Sequence, residues 1–208
     1  MKLIYTASQV REAEKPYIEA ADYDGYLMQR AADAVAAEAQ ELLHGKDKAK
    51  ILLLIGPGNN GADTIYAGAR LSAKGHSVDA VIFDSSEKNL ELIAREGGEG
   101  TRVLDPEHAL EQLAGYDLTI DGILGTGSSG AVRGSAGEYL GVLRAAQLDG
   151  KLGAVLAVDT PSGVDNNRGT VHEPSLRADR TVTFIGHKLP AGTSHSVHSG
   201  DIKLYDLG

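Results

Sequence analysis

Apolar residues recur at helical spacing through the opening of this chain. From Lys50 onward they come instead in short unbroken runs separated by polar, glycine-bearing loops. The first rhythm predicts two helices. Thr6 and Gln9 have the spacing of a capping box, in which each side chain satisfies the other's backbone N–H. A helix is therefore expected over about 7–20, with Pro16 as a point of kinking or shortening. Leu27, Met28, Ala31, Val35, Ala39 and Leu42 form one stripe of a second helix over about 25–43. Its alanines predict close helix packing. Both helices precede the pattern that follows, so they are expected to cover a sheet edge or to meet a partner.

The second rhythm opens with "KILLLIG", the continuous apolar run of a parallel strand buried on both faces. A glycine loop and a helix to about Lys74 follow, with Gly75 just past the helix end, where a left-handed residue is favoured. "SVDAVIF" reads as a strand, about 86–97 as a solvated helix, and "TRVL" as a short strand. A helix over about 106–114, strand "DLTID", a glycine-rich loop, a helix over about 136–148 and strand "GAVLAVD" come next, and "RTVTFIG" and "DIKLYDL" close the series. Strands alternating with helices predict an α/β fold. The expectation is a Rossmann-like, doubly wound, mostly parallel sheet with helices on both faces, two extra N-terminal helices, and a single domain over 1–208.

Composition narrows the chemistry. The chain has 208 residues, 42% hydrophobic and 24% charged, which fits a folded domain rather than a disordered one. A net charge of −9 leaves no basic footprint for nucleic acid. The absence of cysteine removes disulfides, thiolate metal sites and cysteine nucleophiles. Charge arrives early in "MKLIYTASQVREAEKP", before any apolar core of a secretory signal, and no apolar run matches a membrane span, so a cytoplasmic protein is expected.

The loop "GPGNNGADT" carries Gly56, Gly58 and Gly61 in the spacing of a dinucleotide fingerprint, and Asp84 ends the next strand where a ribose-binding acid would stand. That argues for an NAD(P)-dependent oxidoreductase. Pro57, Asn59, Asn60 and an Asp63 placed in the first helical turn argue against it, because a backbone cradle for pyrophosphate needs no polar side chains and is opposed by a carboxylate. Similar loops follow two later strands: Asp121 leads into "GILGTGSSGAVRG" and Asp159 into "TPSGVD". Ligands of open α/β sheets bind beyond the strands' carboxyl ends. The segments 56–64, 121–134 and 159–165 are therefore expected to converge on one pocket. There Asn60, Asp121 and Ser162 offer hard oxygen ligands suited to a weakly bound alkali cation rather than zinc. The glycines of 125–134 offer a backbone nest for phosphate, with Arg133 beside it. Asp159 is the candidate general acid/base.

In this order and spacing, "GPGNNGADT", "DGILGTGSSGAVRG" and "AVDTPSGVD" resemble the NAD(P)H-hydrate epimerase family, the YjeF N-terminal domain family. The opening segment resembles that family's two-helix start, and "ADRTVTFIGHKLP" its penultimate strand and Lys-Pro turn. The resemblance implies an isomerase of cofactor repair, which interconverts the R and S epimers of hydrated NADH and NADPH so that a dehydratase, separate or fused, restores the S form. Position by position it implies substrate contacts from Asn59, Asn60, Gly61, Ala62 and Asp63. Gly125, Thr126, Gly127, Ser128, Ser129, Gly130 and Ala131 would meet the substrate's phosphate region, with Asp159 at the nicotinamide end. One potassium ion would be held by Asn60, Asp121 and Ser162, in a homodimer without membrane or nucleic-acid partners. Ala62 and Thr64 stand where the family usually has glycines, Arg30 where it has an asparagine, and Ala131 where a proline is common. A non-catalytic ligand-binding or scaffold module of the same fold is the alternative function.

Other positions are expected to be ordinary. Lys188 reads as a solvated lysine with a lesser prospect of touching substrate phosphate, His187 as a rim residue, Tyr139 as packing and Asp165 as a turn residue. His195 and His198 lack acidic partners for a metal site.

Overall fold

The computed structural model describes residues 4–20, 25–83, 87–127, 129–188 and 196–207. Asp84, Ser128 and His195 lie outside the described residues.

A short strand β1 (Ile4–Tyr5) leads into helix α1 (Ala7–Ile18), where the Thr6–Gln9 capping box forms on both sides and the helix runs on past Pro16. Helix α2 spans Tyr26–Leu42. The alternating part then runs β2 (Lys50–Ile55), α3 (Asn59–Ala73), β3 (Ser77–Ile82), α4 (Glu87–Glu96), β4 (Thr101–Val103) and α5 (Pro106–Glu111). It continues through β5 (Leu118–Gly122), α6 (Gly134–Leu148), β6 (Ala154–Val158), β7 (Arg180–Phe184), β8 (His187–Lys188), α7 (Ser196–Ser199) and β9 (Asp201–Tyr205).

Seven strands form one sheet in the order β4-β3-β2-β5-β6-β7-β9, and every pairing in it is parallel. The central strand is apolar on both sides because both sides are covered. Ile51, Leu53 and Ile55 pack with α2, α3 and α4, while Leu52 and Leu54 pack with α5 and α6 on the opposite face. Each such side chain, fully withdrawn from water, contributes about 2 kcal/mol.

α2 does not guard an edge. It lies on the sheet face beside α3 and reaches over β6 and β7. Its small residues Ala31, Ala32, Ala34, Val35 and Ala39 are buried there, which is why the stripe is alanine-rich. Glu38 on the same helix pairs with Arg180 of β7 and accepts from the Tyr205 hydroxyl of β9 at 2.6 Å, so a buried charge fixes where α2 sits. α4 is less solvated than its charges imply. Leu92 and Ile93 are buried, and Asn89 donates to the carbonyl of Gly56 at 2.7 Å, holding the first glycine turn.

The order in which strands are added switches side at β2: β3 and β4 lie on one side, and β5 onward on the other. The switch point of a doubly wound sheet is where ligands bind, and here it falls between the exits of β2 and β5.

Candidate active site

A cavity of about 430 Å³ opens at this switch point. Its polar side comes from the three loops: Asn59, Asn60 and Asp63 after β2, Gly125, Thr126 and Gly127 after β5, and Asp159 after β6. Its apolar side comes from Val10 and Ile18 of α1, Leu27, Met28 and Ala31 of α2, Phe184 and Leu207. The loops are tied to one another. The Asn60 side-chain amide donates to the Leu124 carbonyl at 3.0 Å and to the Val158 carbonyl at 2.6 Å. Gly125 is required because a Cβ there would stand 2.6 Å from Asn60 Oδ1.

Beneath the cavity, Asp121 and Ser162 bond twice. Ser162 Oγ donates to Asp121 Oδ1 at 2.6 Å and Ser162 N donates to Oδ2 at 2.8 Å. The backbone N–H of Leu124 donates to Ser162 Oγ at 3.0 Å. Asp121 is fully buried, and among the described residues no cationic side chain pairs with it. Burial raises its proton affinity, partly offset by the hydrogen bonds from Ser162 and Ile123.

Asp159 sits in strained backbone. Its φ is 66°, in the left-handed region, and Thr160 N donates across it to the Val158 carbonyl at 2.8 Å, closing a γ-turn. The neighbouring strand β7 ends the same way: Ile185 has φ 66° and Gly186 N donates to the Phe184 carbonyl at 2.6 Å. For a β-branched residue that conformation is a marked outlier, and such strain gathers at functional sites. The second turn swings β8 back towards the cavity, where it pairs in parallel with β1, Tyr5 opposite Lys188.

Lys188 is thereby buried, not solvated. Its ammonium group donates to Asp159 Oδ1, to Thr183 Oγ1 at 2.7 Å and to the Phe184 carbonyl at 3.1 Å. Asp159 also accepts from Thr183 Oγ1 at 3.2 Å, from Thr126 N at 2.7 Å and from the Thr126 hydroxyl. Two further acids, Glu14 and Asp63, line the cavity. Glu14 on α1 lines the cavity, its proton affinity raised by burial and by Asp159, against the charges of Lys188 and Arg11. Asp63 is 8% exposed, and its proton affinity is raised well above the usual carboxylate range by burial, then by Asp159 and Glu14.

Some expected contacts fall elsewhere. α3 begins at Asn59, so Asp63 lies in its second turn rather than its first. The Ala62 methyl is buried in the core with α2 and the sheet, and Gly61 lies against the Gly56 carbonyl, so neither lines the cavity. Thr64 is wholly buried, its hydroxyl donating to the Asn60 carbonyl at 2.8 Å. Ser129, Gly130, Ala131 and Arg133 lie outside the cavity lining, and Arg133 is the N-cap of α6. Arg30 stacks over Tyr26 and donates to the Leu207 carbonyl at 2.5 Å, a structural role for that departure. Tyr139 packs on Phe83, and Asp165 accepts from the Asn167 and Arg168 backbones in a turn. Among the described residues no cluster of histidine and acidic side chains suits a metal, and no helix is long and apolar enough to cross a membrane.

Comparison with known proteins accounts for the three loops together. The family described as YjeF-related protein N-terminus matches residues 25–189. This chain belongs to the YjeF-related N-terminal family. An NAD(P)H-hydrate epimerase of Microbacterium testaceum is 36% identical over 98% of this YjeF-related chain and 78% of its own length. A bifunctional NAD(P)H-hydrate repair enzyme of Mycobacterium tuberculosis is 31% identical over the whole chain, which spans only 42% of that relative. The crystal structure of yeast YNL200c superposes with a TM-score of 0.80 at 19% identity, over 98% of this chain and 88% of that one, and so has the same fold.

Proposed function

We propose that this chain is an NAD(P)H-hydrate epimerase, an isomerase that inverts C6 of hydrated NADH and NADPH in cofactor repair. The observation that carries the reading is the junction at Asn60, which bonds carbonyls of both other loops beside Asp159 in one cavity. The names of the relatives in Microbacterium and Mycobacterium support the same substrate class. The cavity's shape is apt: an apolar wall to receive a flat nicotinamide ring, and a polar wall to act on its hydroxyl.

C6 of the hydrate carries a hydroxyl next to the ring nitrogen, so the centre is a hemiaminal. Loss and return of that hydroxyl inverts it. Asp159 exchanges the proton, held in place by Lys188, Thr183 and Thr126. Rotation of the Thr126 hydroxyl opens Oδ2 to the substrate. Asn59 and the Gly125–Gly127 backbone position the rest of the dinucleotide.

The residues present fit one potassium ion. Asp121, Ser162 and the Leu124 and Val158 carbonyls are hard oxygen donors, Asn60 supplies its oxygen on turning its amide, and Asp121 is a buried carboxylate without a cationic side chain beside it. The ion would supply the missing positive charge and lock the three loops. By resemblance the protein works as a cytoplasmic homodimer upstream of a dehydratase, separate or fused.

The deciding experiment is a chromatographic assay on purified R-hydrate of NADH, with and without potassium. Equilibration of the epimers faster than the spontaneous rate is expected. A rate equal to the spontaneous one removes the function, and activity indifferent to potassium removes the cation site alone.

A further inference from the structure

Two acids meet the cavity from the strands that flank β5, and their surroundings are opposite. The four donors on Asp159 occupy its carboxylate from the Thr126 and the Lys188 sides. Asp63 is nine-tenths buried and lines the same cavity, yet its carboxyl accepts no hydrogen bond and forms no ion pair among the described residues. A carboxyl on a mostly buried residue, facing a cavity and given no donor or cation by the chain, needs a reason. Nothing in α3 requires an acid there: Thr64 and Ile65 beside it are packed in the ordinary way.

We propose that Asp63 is a second catalytic residue, the proton donor to the C6 hydroxyl of the substrate, working across the ring from Asp159. This rests on the reading that a hydrated nicotinamide occupies the cavity. The charged groups around Asp63 are Glu14 and Arg11 from α1, Asp159 after β6 and Lys188 of β8. With burial and two acids against it, Asp63 holds its proton where an ordinary carboxyl has lost it.

The step balances as follows. Asp63 gives its proton to the C6 hydroxyl oxygen. The C6–O bond breaks, water leaves, and the lone pair of the ring nitrogen forms a C6=N bond. The cationic ring then lies between two carboxylates, which stabilise it. A water adds to the other face of C6, the C=N pair returns to nitrogen, and the water's extra proton goes to Asp159. The opposite epimer runs the same path with the acids exchanged. Between turnovers in one direction Asp159 releases its proton to solvent and Asp63 takes one up.

The test compares wild type, D63N and D63E on the R-hydrate in ¹⁸O-labelled water. Wild type is expected to epimerise with label entering at C6. D63N is expected to lose roughly 10²–10⁴-fold in kcat, with KM nearly unchanged, while its melting temperature and hydrate binding stay near wild type. D63E, which restores the acid, is expected to recover part of kcat. D63N turning over near the wild-type rate, a loss confined to KM, or epimerised product without label overturns the proposal. If D63N fails to fold, an inactive but folded D63E overturns it as well. A wild type without activity removes the functional reading first, and this proposal with it.

Discussion

The two ends of the same strands treat charge in opposite ways. At the amino ends, Asp79 is fully buried and fully answered: Arg102 donates to it at 2.8 and 3.0 Å, the Tyr116 hydroxyl at 2.8 Å, and Lys50 stands 3.7 Å away, stacked over the Tyr116 ring. Asp117 takes Lys46 at 2.6 Å and the Lys50 backbone at 2.9 Å, which holds its carboxyl below the usual range. At the carboxyl ends Asp159 takes Lys188, but Asp121, fully buried, and Asp63, mostly buried, have no cation paired with them among the described residues. A folded chain tolerates a buried charge when it supplies the partner itself. One end of this sheet answers its buried acids with its own side chains, and the other leaves two of them, Asp121 and Asp63, without a cation among the described residues.

Substitutions at the two ends should therefore differ in what they do to activity. The largest effect is expected of Asp159→Asn, which should lower epimerisation by roughly 10²–10⁴-fold and also lower the melting temperature, because the buried Lys188 loses its carboxylate partner. Equal activity would mean that the carboxyl end holds its charge for structure after all. Next is Arg102→Ala, which should cost about 3 kcal/mol in urea unfolding, because it strips a buried carboxylate of its bidentate partner, and should leave kcat intact. Third, potassium at a hundredfold excess over its Kd should stabilise wild type by about 2.7 kcal/mol, and Asp121→Asn should abolish that gain. Lithium serves as the comparison ion.

The smallest effect lies with His76 at the amino end. Its ring accepts the Ala49 N–H at 3.1 Å, and burial, then Lys74, lowers its proton affinity, so the folded state keeps it neutral. A base whose folded pKa lies below its unfolded value of 6.5 binds fewer protons folded than unfolded. Stability is then fully present above 6.5 and declines as pH falls below it. His76→Gln should flatten that decline in a titration of unfolding free energy. A steeper decline would contradict the assignment.

Much of this was legible from the residues because the signals were local. A capping box, a continuous apolar run and a glycine after a helix each depend on a few neighbours, and α1, β2 and the end of α3 fall where those patterns place them. The convergence of the loops followed from a general property of parallel sheets. What stayed hidden depended on distant partners. Lys188 looked like any surface lysine, because its burial comes from a γ-turn at Ile185 and a pairing with β1 that no spacing announces. Glu14 and Arg11 reach the cavity only because α1 docks over it, and a helix pattern says nothing about where its polar face lands. The Ala62 and Thr64 departures, puzzling as loop residues, become plain once both are seen facing the interior.

The twin γ-turns at Asp159 and Ile185 carry a consequence for the history of such a chain. Left-handed backbone at two non-glycine residues costs of the order of 1–3 kcal/mol each, and glycine relaxes it freely. At Ile185 glycine would relieve that cost, whereas at Asp159 it would also leave the buried Lys188 without its carboxylate. Under selection for durability alone, descendants would drift towards glycine at Ile185 first. The persistence of aspartate and isoleucine at these two positions in a lineage would mark the chemistry as still in use.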